Sequence, residues 1–323
     1  MIRNFNDAQQ QAAGFVVPQY YNLETTVYQI KYPSFEYADF MPVVTEGHEW
    51  ARGTMFYSMD EAGQARWMAG GAFDMPLASV SREQFSHAFH MAAIGYEWNL
   101  EEIETARIEG RNLGDEKARA ARGVSQQFLW NLAMTGKGDG VTSEKGWTGL
   151  VNNGSATAAD VAADGTGNVT WWAAKTPDLI LRDINAAITG IYNTTKETEM
   201  ADTILLPTAA LLDIMGRRLG TVSETTIYDF ISRANVYTQT TGNPLMIRGL
   251  RALNAADPGG DGRMVTYRRS PDVLRFHLPM PHKFLPPWQK SAMTWEVGGI
   301  MRTGGLEVRL PKAIIYSDGI VDT

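Results

Sequence analysis

Ser81-Arg-Glu-Gln-Phe-Ser-His-Ala-Phe-His-Met-Ala-Ala-Ile-Gly-Tyr-Glu-Trp-Asn-Leu-Glu-Glu102 decides how this chain is read, because an alternating strand runs into a helix within it. Phe89, Met91 and Ala93 fall on one side of the strand, and Ile94, Tyr96 and Trp98 on the other. Gly95 loosens the backbone, and Asn99 stands at an N-cap position ahead of Leu100, Glu101 and Glu102. A cap oxygen and early carboxylates suit the unpaired N–H groups of a helix start. A break at Gly110–Gly114 precedes a second helix over Asp115–Thr135, in which Ala118, Ala121, Ser125, Phe128 and Leu132 share a face. Gly136 stops it. A narrow face of small residues suits a helix laid on a sheet.

Upstream, residues 53–70 have the pattern of a hairpin. Gly53–Met59 forms one strand, Asp60–Gly63 the turn, and Gln64–Ala69 the return. Met55, Tyr57 and Met59 face one way and Phe56 the other, while Trp67 and Met68 oppose each other. An isolated hairpin is marginal in water, and one that is apolar on both faces must be covered on both. Residues 1–47 carry Pro18, Pro33 and Pro42 among Tyr20, Tyr21, Tyr28, Tyr32 and Tyr37, which gives an extended arm. That arm either straps the protein's own core or lies across a neighbour.

Downstream, Lys137–Thr170 is dense in Gly, Ala, Asn, Asp and Thr and has loop chemistry, with Trp147 and Leu150 as anchors. Asp178–Tyr192 is an amphipathic helix through Ile180, Ile184, Ile188 and Ile191. Thr203–Leu206 is a short buried strand, Thr208–Arg218 and Thr225–Arg233 are helices, and Asp257–Gly262 is a turn before the strand Met264–Tyr267. Pro279, Pro281, Pro286 and Pro287 mark a linker, and Met293–Val297 and Gly305–Leu310 are the last strands. The class is α+β. Two domains are expected: one discontinuous, over 81–145 plus 288–323, and one inserted, over 146–287.

Composition narrows the function. The 323 residues are 44% hydrophobic and 20% charged, with a net charge of −7. A protein that grips a nucleic-acid backbone is usually basic in at least one patch, and Arg217-Arg218 and Arg268-Arg269 are too small to dominate. No apolar run approaches ~18 residues, so no membrane span is expected. The absence of cysteine excludes disulfides and thiolate sites.

No residue set carries catalysis. His87 and His90 fall on opposite faces of a strand, His277 and His282 bracket two prolines without a third ligand, and His48 stands alone; all are expected to be ordinary surface or edge histidines. Glu101, Glu102 and Glu104 are explained by the helix dipole. Gly136–Gly140 lacks the context of a phosphate loop, and Asp257–Gly262 has Arg268 where a calcium loop needs a bidentate glutamate. No catalytic, cofactor-binding or metal residue is expected.

An ordered series of segments resembles the tailed-bacteriophage major capsid proteins. It comprises Val80–Phe85, Met91–Tyr96, Leu100–Ile103, Gly110–Gly114, Asp115–Arg122, Arg263–Tyr267, Ser270–Pro281 and Gly304–Ala313. The resemblance runs from about Tyr28 to Gly319 and rests on the series, not on any one motif. It implies the HK97-like capsid fold. Residues 1–47 would be the N-terminal arm and 48–80 the extended loop. Residues 81–145 plus 288–323 would be the peripheral domain with its spine helix, and 146–287 the axial domain.

The implied function is mechanical: self-assembly through hexamers and pentamers into an icosahedral shell around double-stranded DNA. Assembly would take place in the host bacterial cytoplasm, with portal, scaffold and decoration proteins as further partners and no cofactor. Tyr20, Tyr21, Tyr28, Met55, Phe56, Tyr57, Met59, Trp67 and Met68 are the candidate assembly residues. Fewer than thirty residues precede the resemblance, so no scaffolding leader is expected. Two alternatives are an encapsulin-like nanocompartment shell and a cytoplasmic enzyme with an unfamiliar site.

Overall fold

The computed structural model describes residues 35–64, 67, 77–110, 112–143, 145–165, 167, 169–220 and 223–321. Tyr20, Tyr21, Tyr28 and Met68 lie outside the described residues. The deciding stretch is three strands, β3 (Ser79–Ala88), β4 (His90–Ala93) and β5 (Tyr96–Asn99), which follow β1 (Val43–Val44) and β2 (Gly53–Ala62). Helices α1 (Leu100–Glu109) and α2 (Leu113–Thr135) continue from it. Gly95 has a packing reason: a Cβ there would sit 2.3 Å from the Val297 carbonyl oxygen.

Both helix starts and both stops follow from local chemistry. The Asn99 N–H donates to Glu102 Oε2 at 3.3 Å, closing one arm of a capping box. Asn112 Oδ1 accepts from the Asp115 N–H. Gly110 and Gly136 adopt left-handed φ values of 73° and 74° as the helices end. The buried stripe of α2 is Ala121, Ser125, Leu129, Leu132, Ala133 and Met134, close to the expected face, with Phe128 half-buried at its edge.

The first correction concerns the hairpin. Gly53–Ala62 pairs antiparallel with Ser79–Ala88 in unbroken register, from Gly53↔Ala88 to Ala62↔Ser79. The strand paired with Gly53–Ala62 is therefore β3; of the expected return Gln64–Ala69, only Gln64 and Trp67 lie within the described residues. A ten-residue ladder outweighs a local Asp/Gly turn signal, because every strand residue added brings hydrogen bonds and a cross-strand pair.

The inserted region begins with β6 (Thr157–Asp160) and α3 (Pro177–Thr194). It continues through β7 (Thr203–Pro207), α4 (Thr208–Gly216), α5 (Ile227–Ala234), α6 (Val236–Thr241), β8 (Met246–Leu250) and β9 (Met264–Tyr267). Here the apolar periodicity translates directly: Ile180, Ile184, Ile188 and Ile191 are fully buried on α3, and all five residues of β7 are buried. Trp172, Tyr267, Tyr316 and Phe276 are the bulkiest side chains in that core.

The proline-rich segment is only partly linker. β10 (Leu274–His277) precedes it, β11 (Met280–Phe284) runs through it, and Pro286-Pro287 connect onward to β12 (Trp288–Ser291), β13 (Thr294–Val297), β14 (Gly299–Thr303), β15 (Gly305–Val308) and β16 (Ile314–Asp318). Pro281 sits where the β11–β14 register shifts between Met280 and Lys283, a place that does not need its missing N–H. Three short sheets, β1-β10-β15, β11-β14-β4 and β12-β13-β5, join the two ends of the chain.

The fourth sheet draws in the last strand of the chain. Its order is β6-β16-β9-β7-β8, so Ile314–Asp318 pairs with Met264–Tyr267 and Thr157–Asp160. Residues 314–318 thus lie in the same sheet as strands of the 146–287 region. The Arg263 guanidinium grips Asp318 through Nε and Nη2 at 2.6 and 2.8 Å, holding the end of that strand inside the fold.

Candidate assembly surface

Strands β2 and β3 form a two-stranded ribbon whose faces differ. Side chains directly opposite in an antiparallel pair share a face. One face carries Thr54, Phe56, Ser58 and Asp60 with His87, Phe85, Glu83 and Ser81; the other carries Met55, Tyr57, Met59 and Glu61 with Ser86, Gln84, Arg82 and Val80.

The first face is stitched within the subunit. Phe56 is half-buried; its ring stacks on Phe85 at 5.2 Å, and the Arg309 guanidinium lies 4.4 Å from its centre. The second face is bare. Met55, Tyr57, Met59 and Val80 are 64, 51, 69 and 62% exposed. Arg82 covers the Tyr57 ring at 3.6 Å, and the Gln84 amide donates to the Met55 sulfur. Trp67, in the connection, is fully exposed. Of the expected apolar residues, the structure thus brings Met55, Tyr57 and Met59 together, sets Phe56 against its own subunit, and leaves Trp67 free. Arg82, Val80 and Phe85 were missed; the alternation over Ser79–Ala88 would have placed them had the ladder partner been assigned.

The ribbon is anchored at its base. The Phe89 N–H donates to the Arg52 carbonyl at 2.8 Å, and His87 Nε2 lies 2.7 Å from the Gly304 carbonyl oxygen. A cleft of about 280 Å³ opens beside this anchor, lined by Phe56, His87, Trp147, Asn153, Ser155 and Glu307.

The histidines also correct the sequence reading. The rings of both His87 and His90 approach Trp147, at 6.1 and 5.3 Å, because the break between β3 and β4 undoes strict alternation. His277 is buried, and its Nε2 lies 2.6 Å from Glu307 Oε2. Burial of Glu307 alone would raise its pKa, but the His277 hydrogen bond and the Arg309 charge prevail and lower it. Burial lowers His87, reinforced by the charges of His277 and His90, against the opposing pull of the Gly304 hydrogen bond and Glu307. His282 is part-buried against the Ile94 carbonyl oxygen and Phe284.

The remaining candidates have structural explanations. Glu102 is held ionised by a 2.7 Å bond from Lys117 and by the Asn99 N–H. Asp139 accepts from the Thr142 hydroxyl and from the Thr142 and Val141 N–H groups, which draws its pKa down to about 2 and shapes the Gly136–Gly140 turn. Among the described residues, no group of three His, Asp or Glu side chains is arranged to hold a metal ion. Nor is any helix among them long and apolar enough to cross a membrane.

Comparisons with known proteins meet this geometry. A family model described as "Major capsid protein" matches residues 63–320. The capsid of Myoviridae phage XM1 superposes with a TM-score of 0.77 at 16% identity, over 94% of this chain and 97% of that one. A chain from Microbacterium phage Oxtober96 gives 0.63 at 12%, over 96% and 98%. One from Mycobacterium phage Ogopogo gives 0.60 at 9%, over 95% and 98%. No curated protein sequence matches the chain. The fold is thus the α+β HK97-like capsid fold, the class of shell-forming subunits. The chain belongs to the major capsid protein family and is a major capsid protein of the tailed-phage type.

Proposed function

We propose that this chain is the repeating subunit of a phage head, assembling through hexamers and pentamers into an icosahedral shell around double-stranded DNA. The bare ribbon face carries this reading. Met55, Tyr57, Met59 and Val80 form an apolar strip that the subunit itself leaves uncovered, on an element built to extend from the body. A second copy is the natural cover, since a heterologous contact repeated by rotation closes into rings. Family membership supports the same conclusion.

In this reading residues 1–47 act as an arm, 48–88 as the extended loop, and α2 as the spine of a peripheral domain. The sheet β6-β16-β9-β7-β8 centres an axial domain at the symmetry axes. The role is structural, not enzymatic. Net charge of −7 fits weak contact with packaged DNA, and portal, scaffold and decoration proteins are the further partners. Assembly takes place in the host cytoplasm, and the product resides in the virion.

The test is Met55→Ser with Tyr57→Ser and Met59→Ser. Expected are unassembled subunits with an unchanged melting temperature and a sharp loss of closed particles by sedimentation and electron microscopy. Normal particle yield, or a large fall in melting temperature before assembly, would overturn the assembly role of this face.

A further inference from the structure

Four basic side chains are buried among the described residues: Lys175, Arg263, His277 and Arg302. Three of them meet a carboxylate. Lys175 lies against Asp183 and Asp164, Arg263 against Asp318, and His277 against Glu307. Arg302, on β14, makes no ion pair with a described residue, although it is only 8% exposed. Its Nη1 donates to the Glu49 carbonyl at 3.3 Å, and its guanidinium lies 5.7 Å from the centre of the Trp50 ring. Its Nε is buried without a hydrogen-bond partner; of the seven such side-chain atoms among the described residues, this one alone belongs to a lysine or arginine. The Glu49 carboxylate is taken by Lys283, at 2.5 Å. A guanidinium removed from water without an anion is unfavourable, so Arg302 calls for a counter-charge from elsewhere.

The surroundings narrow what brings that charge. Trp50 is 55% exposed, and Met91, directly opposite Arg302 in the β4–β14 ladder, is 58% exposed, so Arg302 adjoins open apolar surface. A nucleic-acid backbone is gripped by several cations acting together, and the nearby Lys283 is already neutralised by Glu49, which favours a carboxylate over a phosphate. The bare face of the ribbon has the matching pattern. Glu61 follows Met55, Tyr57 and Met59 on that face, is exposed, and makes no ion pair among the described residues.

We propose that Arg302 receives Glu61 of a second copy of this chain, with Met59 of that copy laid against Trp50 and Met91. This rests on the reading of the bare ribbon face as the assembly surface, and adds where on the neighbour that face lands. Trp50 lies just ahead of β2, so the contact joins the outer end of one ribbon to the foot of the next. Such a heterologous contact, repeated by rotation, closes into a ring. A charge pair desolvated in that contact also fixes its register.

Arg302→Met, Glu61→Gln and the two combined test this, read by particle yield in sedimentation and by the melting temperature of the unassembled full-length subunit. Each single variant should lose particles several-fold, and the combination should lose no more than the worse single, because both remove one interaction. Arg302→Met should leave the melting temperature unchanged or raise it, since it removes a buried charge that its own subunit does not neutralise. Asp60→Asn, on the other face of the ribbon, should assemble normally. A large fall in melting temperature in both Arg302→Met and Arg302→Gln, or failure of both to fold, would show that the subunit supplies its own counterpart and would overturn the proposal. Normal yield in either single variant, additive losses in the combination, or shells that form normally and fail only to retain DNA would also overturn it. If Met55→Ser with Tyr57→Ser and Met59→Ser abolishes particles while Arg302→Met does not, the assembly reading stands and this ion pair alone is refuted.

Discussion

Phe56 and Phe85 face each other in register across the ribbon, with rings stacked 5.2 Å apart at 18°, and the Arg309 guanidinium from the body sits over Phe56 at 4.4 Å. One face of the ribbon is therefore fixed by aromatic and cation–π contacts while the opposite face, one residue along, is uncovered. That asymmetry separates what holds the subunit together from what remains for a neighbour.

Phe85→Ala removes the stack without touching the bare face. An aromatic pair contributes about 0.5–1.5 kcal/mol beyond its buried area. Amide exchange in β2 and β3 should rise by roughly fivefold or more, while the melting temperature, set by the core around α3 and β7, should stay within a degree or two. A large fall in melting temperature would show the ribbon to be part of the cooperative core.

Two glycines near α2 should respond in opposite directions. A Cβ at Gly149 would meet backbone atoms of Met134 and Thr135 at 2.1 and 2.2 Å, so Gly149→Ala should cost at least ~1–3 kcal/mol or prevent folding. Gly123, exposed in mid-helix with nothing within 4 Å of a Cβ, should gain about 0.5–1 kcal/mol as alanine. Denaturant unfolding of the two variants checks the ordering.

The buried ion network of the inserted region makes a third case. Lys175 Nζ lies 2.6 Å from Asp183 and 3.3 Å from Asp164, and Arg182 bridges both acids. Asp183→Ala removes the nearer carboxylate from a buried ammonium, leaving it Asp164 and the Ala162 carbonyl, and should cost up to about 3–5 kcal/mol. Lys175→Met should cost less, because Arg182 still holds Asp183.

The same network gives a pH dependence. The Arg182 hydrogen bonds, with help from Lys175 and against burial, hold Asp164 at a pKa of about 2, below the usual 3.8. A lowered carboxylate pKa means stability that is fully present above about pH 4 and is lost as pH falls towards 2. Asp164→Asn should flatten that acid limb of the unfolding curve, and an unchanged limb would refute the assignment.

Covalent cross-linking through the ribbon is not expected. No lysine lies between Lys31 and Lys117, and the chain has no cysteine, so the ribbon supplies neither an amine for an isopeptide bond nor a thiol. Denaturing electrophoresis of assembled shells should give one monomer band; a ladder of linked oligomers would contradict this.

Where the signal was a helix cap or a fully buried period, the sequence was sufficient. Asn99 and Gly136 mark the ends of the two helices because capping and left-handed closure involve residues within one turn. Thr203–Pro207, Met264–Tyr267 and the isoleucine stripe of α3 were legible because a fully buried element must be apolar in its own period. The apolar strip Met55, Tyr57 and Met59 was equally legible, since alternation alone assigns residues to faces.

Strand partners were not. Residues 53–62 carried a turn signal at Asp60–Gly63, yet their partner lies beyond residue 78, because ladder pairing is chosen by the sum of many contacts. The same holds for Ile314–Asp318, whose composition suits any buried strand and whose place between β6 and β9 depends on the packed inserted region. His87, His90 and His277 meet around Trp147 and Glu307 only because four separate segments converge there. The sequence by itself thus determined most of the helices, the apolar strip of β2 and the resemblance to the family. Tertiary structure alone decided which strands pair and which charges become neighbours, because those depend on residues far apart along the chain.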